Sequence, residues 1–139
     1  MITLQQYYMG RDKEYPALLT PELKANAEKT VMLANKLLEV SGKLGVTHEL
    51  HPVTKSNVSS GWRPPQVNAG IPNAAAKSKH MTCQACDIYD PDGELDDWCM
   101  ENLDKLKVIG LWLEHPSATK GWCHVQIVPP KSGRQVFYP

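Results

Sequence analysis

Two histidines and an aspartate carry the most chemical information in this sequence: His80, Asp87 and His124. Two imidazoles and one carboxylate can hold a Zn²⁺ ion through three protein ligands and leave a fourth position open for water, which is what separates catalytic zinc from closed structural zinc. Imidazole nitrogen suits a borderline-soft ion, and the carboxylate adds a hard oxygen donor. His80 and Asp87 stand seven residues apart. Because that number is odd, one flat strand would send the two side chains to opposite faces, so a bend is required between them. Cys83, Gln84, Ala85 and Cys86 run directly into Asp87 and are where that bend is expected. His48, His51 and His115 have no such company and read as ordinary, locally satisfied histidines.

The elements that must bring these residues together follow from local pattern. Residues 1–19 mix aromatics, charge and Pro16, and read as an irregular lead-in or a short helix packing on the body. Thr20 then offers an N-cap and Pro21 a favoured first helical residue. Leu23, Ala27, Val31, Ala34 and Leu38 follow at helical spacing, so a helix over 20–43 is expected to stop near Gly42 or Gly45. Val46 to Thr54 is an entry strand or loop leading to Arg63. Residues 64–79 carry three prolines and no period. They are expected to form a loop, with Asn68 and Asn73 bonding its backbone, that delivers Ser78 and His80. A strand over Ala85–Tyr89, a turn at Asp90 to Gly93, and a helix over 94–109 with acidic start and basic end come next. Leu111–Glu114 and Trp122–Val128 read as paired strands, which would set Glu114 beside His124. Val136 and Phe137 are expected to pack back on the sheet.

Composition narrows the partners. Fifteen basic residues balance fifteen acidic ones, so no bulk charge draws the chain to nucleic acid. No window is apolar enough for membrane insertion, and the N-terminus lacks a signal-peptide pattern. Four cysteines in a chain without an export signal are expected to be reduced thiols. Cys83 and Cys86 form a C-x-x-C, but a zinc ribbon needs a second such pair and a redox motif a βαβ setting. Buried packing is the expected role for both. No nucleophile elbow, dinucleotide fingerprint or P-loop is present.

Four segments in order, SGWRPPQVN (Ser60 to Asn68), SKHMTCQACD (Ser78 to Asp87), GLWLE (Gly110 to Glu114) and GWCHVQ (Gly121 to Gln126), resemble the zinc D-Ala-D-Ala carboxypeptidase and L-Ala-D-Glu endopeptidase superfamily. The likeness is greatest to short single-domain phage members and extends over most of the chain. It implies an α+β hedgehog/D-Ala-D-Ala peptidase-like fold, a small antiparallel sheet with flanking helices. It further implies one zinc peptidase domain over 1–139, with a helical N-terminal part (1–45) and a metal-site core (46–139). One Zn²⁺ per chain would be held by His80, Asp87 and His124. The substrate would be the peptidoglycan stem peptide, reached after lysis or holin release from the host cytoplasm, or from a virion.

The same resemblance assigns Arg63 to the substrate carbonyl or its oxyanion, and Ser78 to a substrate carboxylate or to fixing the loop. Relatives carry the catalytic Glu on the strand before the last ligand or three residues ahead of that ligand. Gly121 occupies the latter position here, so Glu114 is the expected base and His115 its runner-up. Relatives commonly have glycine where Cys83 stands. That departure, with the missing E-x-x-H, keeps open a zinc-stabilised, non-catalytic module of a phage particle. A thiol-based redox protein ranks last.

Overall fold

The computed structural model describes residues 1–139, a mixed α/β chain built on one five-stranded sheet. Three short helical segments open it: α1 (Leu4–Tyr8), α2 (Arg11–Glu14) and a 3₁₀ turn (Pro16–Leu18). The long helix α3 (Pro21–Lys43) follows, its first turn capped by the Thr20 hydroxyl, which accepts from Leu23 N–H. Val46 to Thr54 forms a loop, and strand β1 (Val58–Ser60) begins after it. Strand β2 (Ala85–Asp90) continues into α5 (Glu94–Glu101) and α6 (Leu103–Ile109), then β3 (Trp112–Glu114), β4 (Gly121–Gln126) and β5 (Val136–Phe137). The short helix α4 (Pro65–Ala69) lies between β1 and β2.

Strand order is β1-β2-β4-β3-β5. β1 to β4 pair antiparallel, but β5 runs parallel to β3, so the sheet is mixed rather than antiparallel throughout. Two further expectations change. The 64–79 loop contains α4, because Pro64 and Pro65 lead in with a φ suited to a first helical turn. The helix expected over 94–109 is two helices, broken where Asn102 leaves helical geometry (φ −132°) and turns its side-chain amide back to the Trp98 carbonyl.

Alternation along β2 and β4 divides the sheet into two faces. Cys86, Ile88, Cys123, Val125 and Leu113 face the helices and belong to one core of 24 buried residues that runs from Ile2 to Ile127. The opposite face carries Asp87, Tyr89, Trp122, His124 and Gln126, and no long helix covers it. Trp62 is fully buried, whereas Trp112 and Trp122 are half-buried on the open face.

Candidate metal centre

Asp87 and His124 are direct cross-strand partners on β2 and β4, so the sheet register alone brings them into contact. His80 arrives from outside the sheet. The chain bends between it and Asp87 at Cys83, which adopts a left-handed conformation (φ 58°). That is a conformation glycine accepts without strain, so glycine is the residue expected there. Helix α3 fixes the bend: Thr30 Oγ1 donates to the Cys83 carbonyl (2.7 Å) and Asn26 Nδ2 to the Thr82 carbonyl (3.0 Å). On the other side of β2, a bulge between Val58 and Ser60 sets Ser60 opposite Asp87. It carries Gly61 past the ladder, where its carbonyl meets His80.

The hydrogen bonds around the two imidazoles define which nitrogens face inward. His80 Nδ1 lies 2.8 Å from the Gly61 carbonyl, which can only accept, so Nδ1 carries the proton and Nε2 presents a lone pair. His124 Nε2 lies 3.1 Å from Gln126 Oε1, whose amide nitrogen is committed to the Val128 carbonyl (2.9 Å). His124 therefore donates through Nε2, and its Nδ1 points at Asp87 Oδ1, 2.8 Å away. His80 Nε2 stands 3.2 Å from the same oxygen but misaligned for a hydrogen bond, and is buried without a partner. Three ligand atoms, all within 4.8 Å of one another, converge on one point.

This convergence leaves His80 Nε2 buried without a hydrogen-bond partner, a deficit that a cation would fill. Burial pushes the His80 imidazole down, toward its neutral form, so its bare Nε2 faces an anionic oxygen. Burial alone would lift the Asp87 carboxyl, but the nearby His80 and His124 imidazoles outweigh it and hold the group well below the usual carboxylate range. His124 is likewise pushed down by burial yet ends raised, because it bonds to Asp87 and senses Glu114. A tetrahedral ion with bonds of about 2.0–2.2 Å needs ligand atoms roughly 3.3–3.6 Å apart, so the two contacts to Asp87 Oδ1, at 3.2 and 2.8 Å, would open by less than about an ångström to admit one. The buried His80–Asp87–His124 group can hold a metal ion.

The other expected site residues divide. Continuing the β3–β4 register by one step sets Glu114 opposite His124. Burial raises its carboxyl, while His124 and Arg63 pull the other way, so all three lie within electrostatic reach. Arg63 senses Asp87 and Glu114, donates to Ser78 Oγ (3.3 Å) and leaves its buried Nε unpartnered. The Ser78 hydroxyl also accepts from His80 N–H (3.2 Å), so it already ties the arginine to the ligand loop. His115 follows Glu114 and by alternation leaves the site face. Its Nδ1 accepts from Ser117 N–H (3.1 Å), and its ring stacks on Tyr138. His48 Nε2 lies 3.0 Å from Ser41 Oγ, and His51 Nδ1 accepts from Val53 N–H, so both are satisfied locally.

Several supporting residues escaped the sequence reading. Gln126 and Gly61 set the two imidazole tautomers, and Gln126 was within reach of it, two residues past His124 on the same strand face. The N-terminal segment takes the expected form of a short helix packing on the body, and acts there as a clamp. Tyr7 accepts Trp62 N–H at its carbonyl (3.1 Å) and donates its hydroxyl to Ala85 O (2.7 Å), while Arg11 Nη1 donates to Trp62 O (2.7 Å). All four cysteines are free and buried. Burial pushes the Cys83 thiol up to about 12 and Cys86 higher still, leaving neither as a thiolate near neutrality. Compared with known proteins, the chain matches no family model, no curated protein and no solved structure.

Proposed function

We propose that this protein is a zinc-dependent peptidase that hydrolyses a peptide bond in the peptidoglycan stem, of the D-Ala-D-Ala carboxypeptidase or L-Ala-D-Glu endopeptidase type. The observation that carries the reading is the inward convergence of two imidazole lone pairs on one carboxylate oxygen, each imidazole held in that tautomer by a fixed acceptor behind it. An N₂O donor set suits zinc, with His80, Asp87 and His124 as ligands. When bound, zinc supplies Lewis acidity toward a carbonyl oxygen and lowers the pKa of water. The resemblance in the four sequence segments names the substrate and the hedgehog/D-Ala-D-Ala peptidase-like fold, and suits a phage endolysin or virion-associated lysin.

The chain's own residues supply the remaining chemistry. Glu114, beside His124 and raised by burial, accepts a proton from the attacking water and returns it to the leaving amine. Arg63 directs its guanidinium toward the peptide carbonyl oxygen, where it stabilises negative charge that grows on attack more than it stabilises the neutral amide. Ser78 keeps that guanidinium oriented. Mass spectrometry of purified peptidoglycan incubated with zinc-loaded protein, chelated protein and Glu114→Gln tests this. Cleavage by the zinc-loaded wild type alone is expected, with a loss of about 10²–10⁴ in rate for Glu114→Gln at unchanged zinc content. Stoichiometric zinc with no cleaved fragment would transfer the site to a structural role.

A further inference from the structure

A groove of about 400 Å³ opens where α6 meets the start of β3, and none of the metal-centre residues lines it. Leu103, Asp104 and Lys107 enter it from α6, Trp112 from β3, and Gln135 from the residue just before β5. Trp112 is half-buried, whereas Trp62 is sealed in the core and spends its indole N–H on the Met81 carbonyl (3.3 Å). Asp104 and Lys107 stand three residues apart on one helix, a spacing at which opposite charges can pair. They do not: the ion pairs of the chain join Glu39 to Lys36 and Lys43, and Asp87 to His80 and His124. Both side chains are exposed and free to meet a ligand. Gln135 Nε2 donates to the Leu111 carbonyl, which fixes that side chain in the wall.

This wall combines an aromatic face, an acceptor-only carboxylate and a donor-only ammonium. An anion would meet Asp104 as well as Lys107, a cation would meet Lys107 as well as Asp104, and a wholly apolar group would strip water from both charges. A neutral ring with hydroxyls on its rim avoids all three costs. Its C–H face covers the indole, while its hydroxyls donate to Asp104 and accept from Lys107. We infer that the groove is a subsite for a hexosamine of the glycan strand, so the preferred substrate is a stem peptide still joined to its sugar. The identity of that sugar rests on the peptidoglycan reading. Trp112 is the cross-strand partner of Gln126 and lies two residues before Glu114 on the same face, about 7 Å along β3. A sugar on Trp112 and a peptide at the centre can therefore belong to one molecule. Trp112 determines specificity in this arrangement and touches no reacting atom.

The pentapeptide stem tests the subsite in two forms, one joined to its N-acetylglucosaminyl–N-acetylmuramyl disaccharide and one capped at its amine by an acetyl group. The zinc-loaded wild type is expected to show a kcat/KM about 10-fold higher for the sugar-bearing form. Trp112→Leu and Lys107→Gln should each cut that preference by about 3- to 10-fold, the range of one aromatic or hydrogen-bonded contact. Neither should move kcat/KM for the capped peptide by more than about twofold. Trp112→Phe should keep part of the preference. Lys107 is exposed, so Lys107→Gln keeps the fold and decides the matter if Trp112→Leu melts early. Both forms titrated calorimetrically into Glu114→Gln and Glu114→Gln/Trp112→Leu should repeat the pattern in Kd. No preference for the sugar-bearing form, or one that both variants keep in full, refutes the subsite. If neither form is cut, the hydrolase reading fails and the comparison of Kd values alone decides the subsite.

Discussion

Zinc should stabilise this fold by an amount that the second layer of hydrogen bonds controls. The ligand atoms are poised by Gly61 O and Gln126 Oε1, not by chance rotamers, so removing one acceptor should weaken the metal without removing a ligand. At free zinc near 1,000 times its dissociation constant, a site present only in the folded state contributes about 4 kcal/mol. An unfolding entropy of about 2.1 cal/mol/K per residue, over 139 residues, is roughly 0.29 kcal/mol/K, so Tm should rise by about 14 °C. Gln126→Leu frees His124 Nε2 from its acceptor, and a second-layer loss of this kind costs about 10- to 100-fold in affinity. At the same zinc level its shift should shrink to about 5–9 °C. Differential scanning calorimetry of each variant, with zinc and with chelator, measures this against its own metal-free form. His80→Ala sets the baseline for zinc binding elsewhere. An identical wild-type Tm with zinc and with chelator, or a full shift in Gln126→Leu, would refute the reasoning.

Gly61→Ala should be among the most damaging single-methyl changes. An added Cβ would sit 1.9 Å from the Tyr7 carbonyl oxygen, and backbone cannot yield as a side-chain tip can. A cost of about 3 kcal/mol or more in denaturant melts is expected, together with weaker zinc binding, because the Gly61 carbonyl orients His80. Asp96 gives a pH signature: burial lifts its carboxyl from 3.8 to about 6, while Thr119 Oγ1 donates to one oxygen. The folded chain therefore holds more protons across that interval, and stability from this group falls as pH rises from about 4 to about 6. Asp96→Asn should raise Tm by up to about 10 °C at pH 7.5 and leave it unchanged at pH 4, so an equal gain at both would exclude charge as the cause.

What the sequence disclosed followed how local its cause was. The α3 helix was legible because Thr20, Pro21 and the apolar period all act within one segment. The odd spacing of His80 and Asp87 required a bend, and Cys83 in its left-handed conformation is that bend. The Glu114–His124 pairing followed from two strands in a hairpin, where register is set nearby. The parallel pairing of β5 with β3 was hidden, since it joins residues more than twenty apart through a connection with no period of its own. The break at Asn102 was masked by an apolar pattern that stays in phase across it. Gly61 gave no local sign that a backbone fifty-four residues earlier would fill the space of its Cβ. Arg11 escaped for the same reason: its partner lies far along the chain.

On the proposed reading, the number of protein ligands an ion would find at this centre separates hydrolysis from a structural role. A structural zinc is closed by a fourth protein ligand, whereas a catalytic one is left open. Four side chains nearby are the candidates to close it. Cys86 adjoins Asp87 in sequence but alternates to the helix-packed face, and Cys83 belongs to the same apolar core with its thiol held in the protonated form. Gln126 spends its oxygen on His124 and its nitrogen on Val128. Glu114 lies within electrostatic reach but outside the group of three whose ligand atoms converge. An ion held there would find no fourth protein ligand among these side chains, while Glu114 and Arg63 both lie within electrostatic reach of Asp87. A purely structural ion would have no use for either group there. Glu114→Gln at full zinc occupancy, with an unchanged Tm and no cleavage, is therefore the result that separates the two roles.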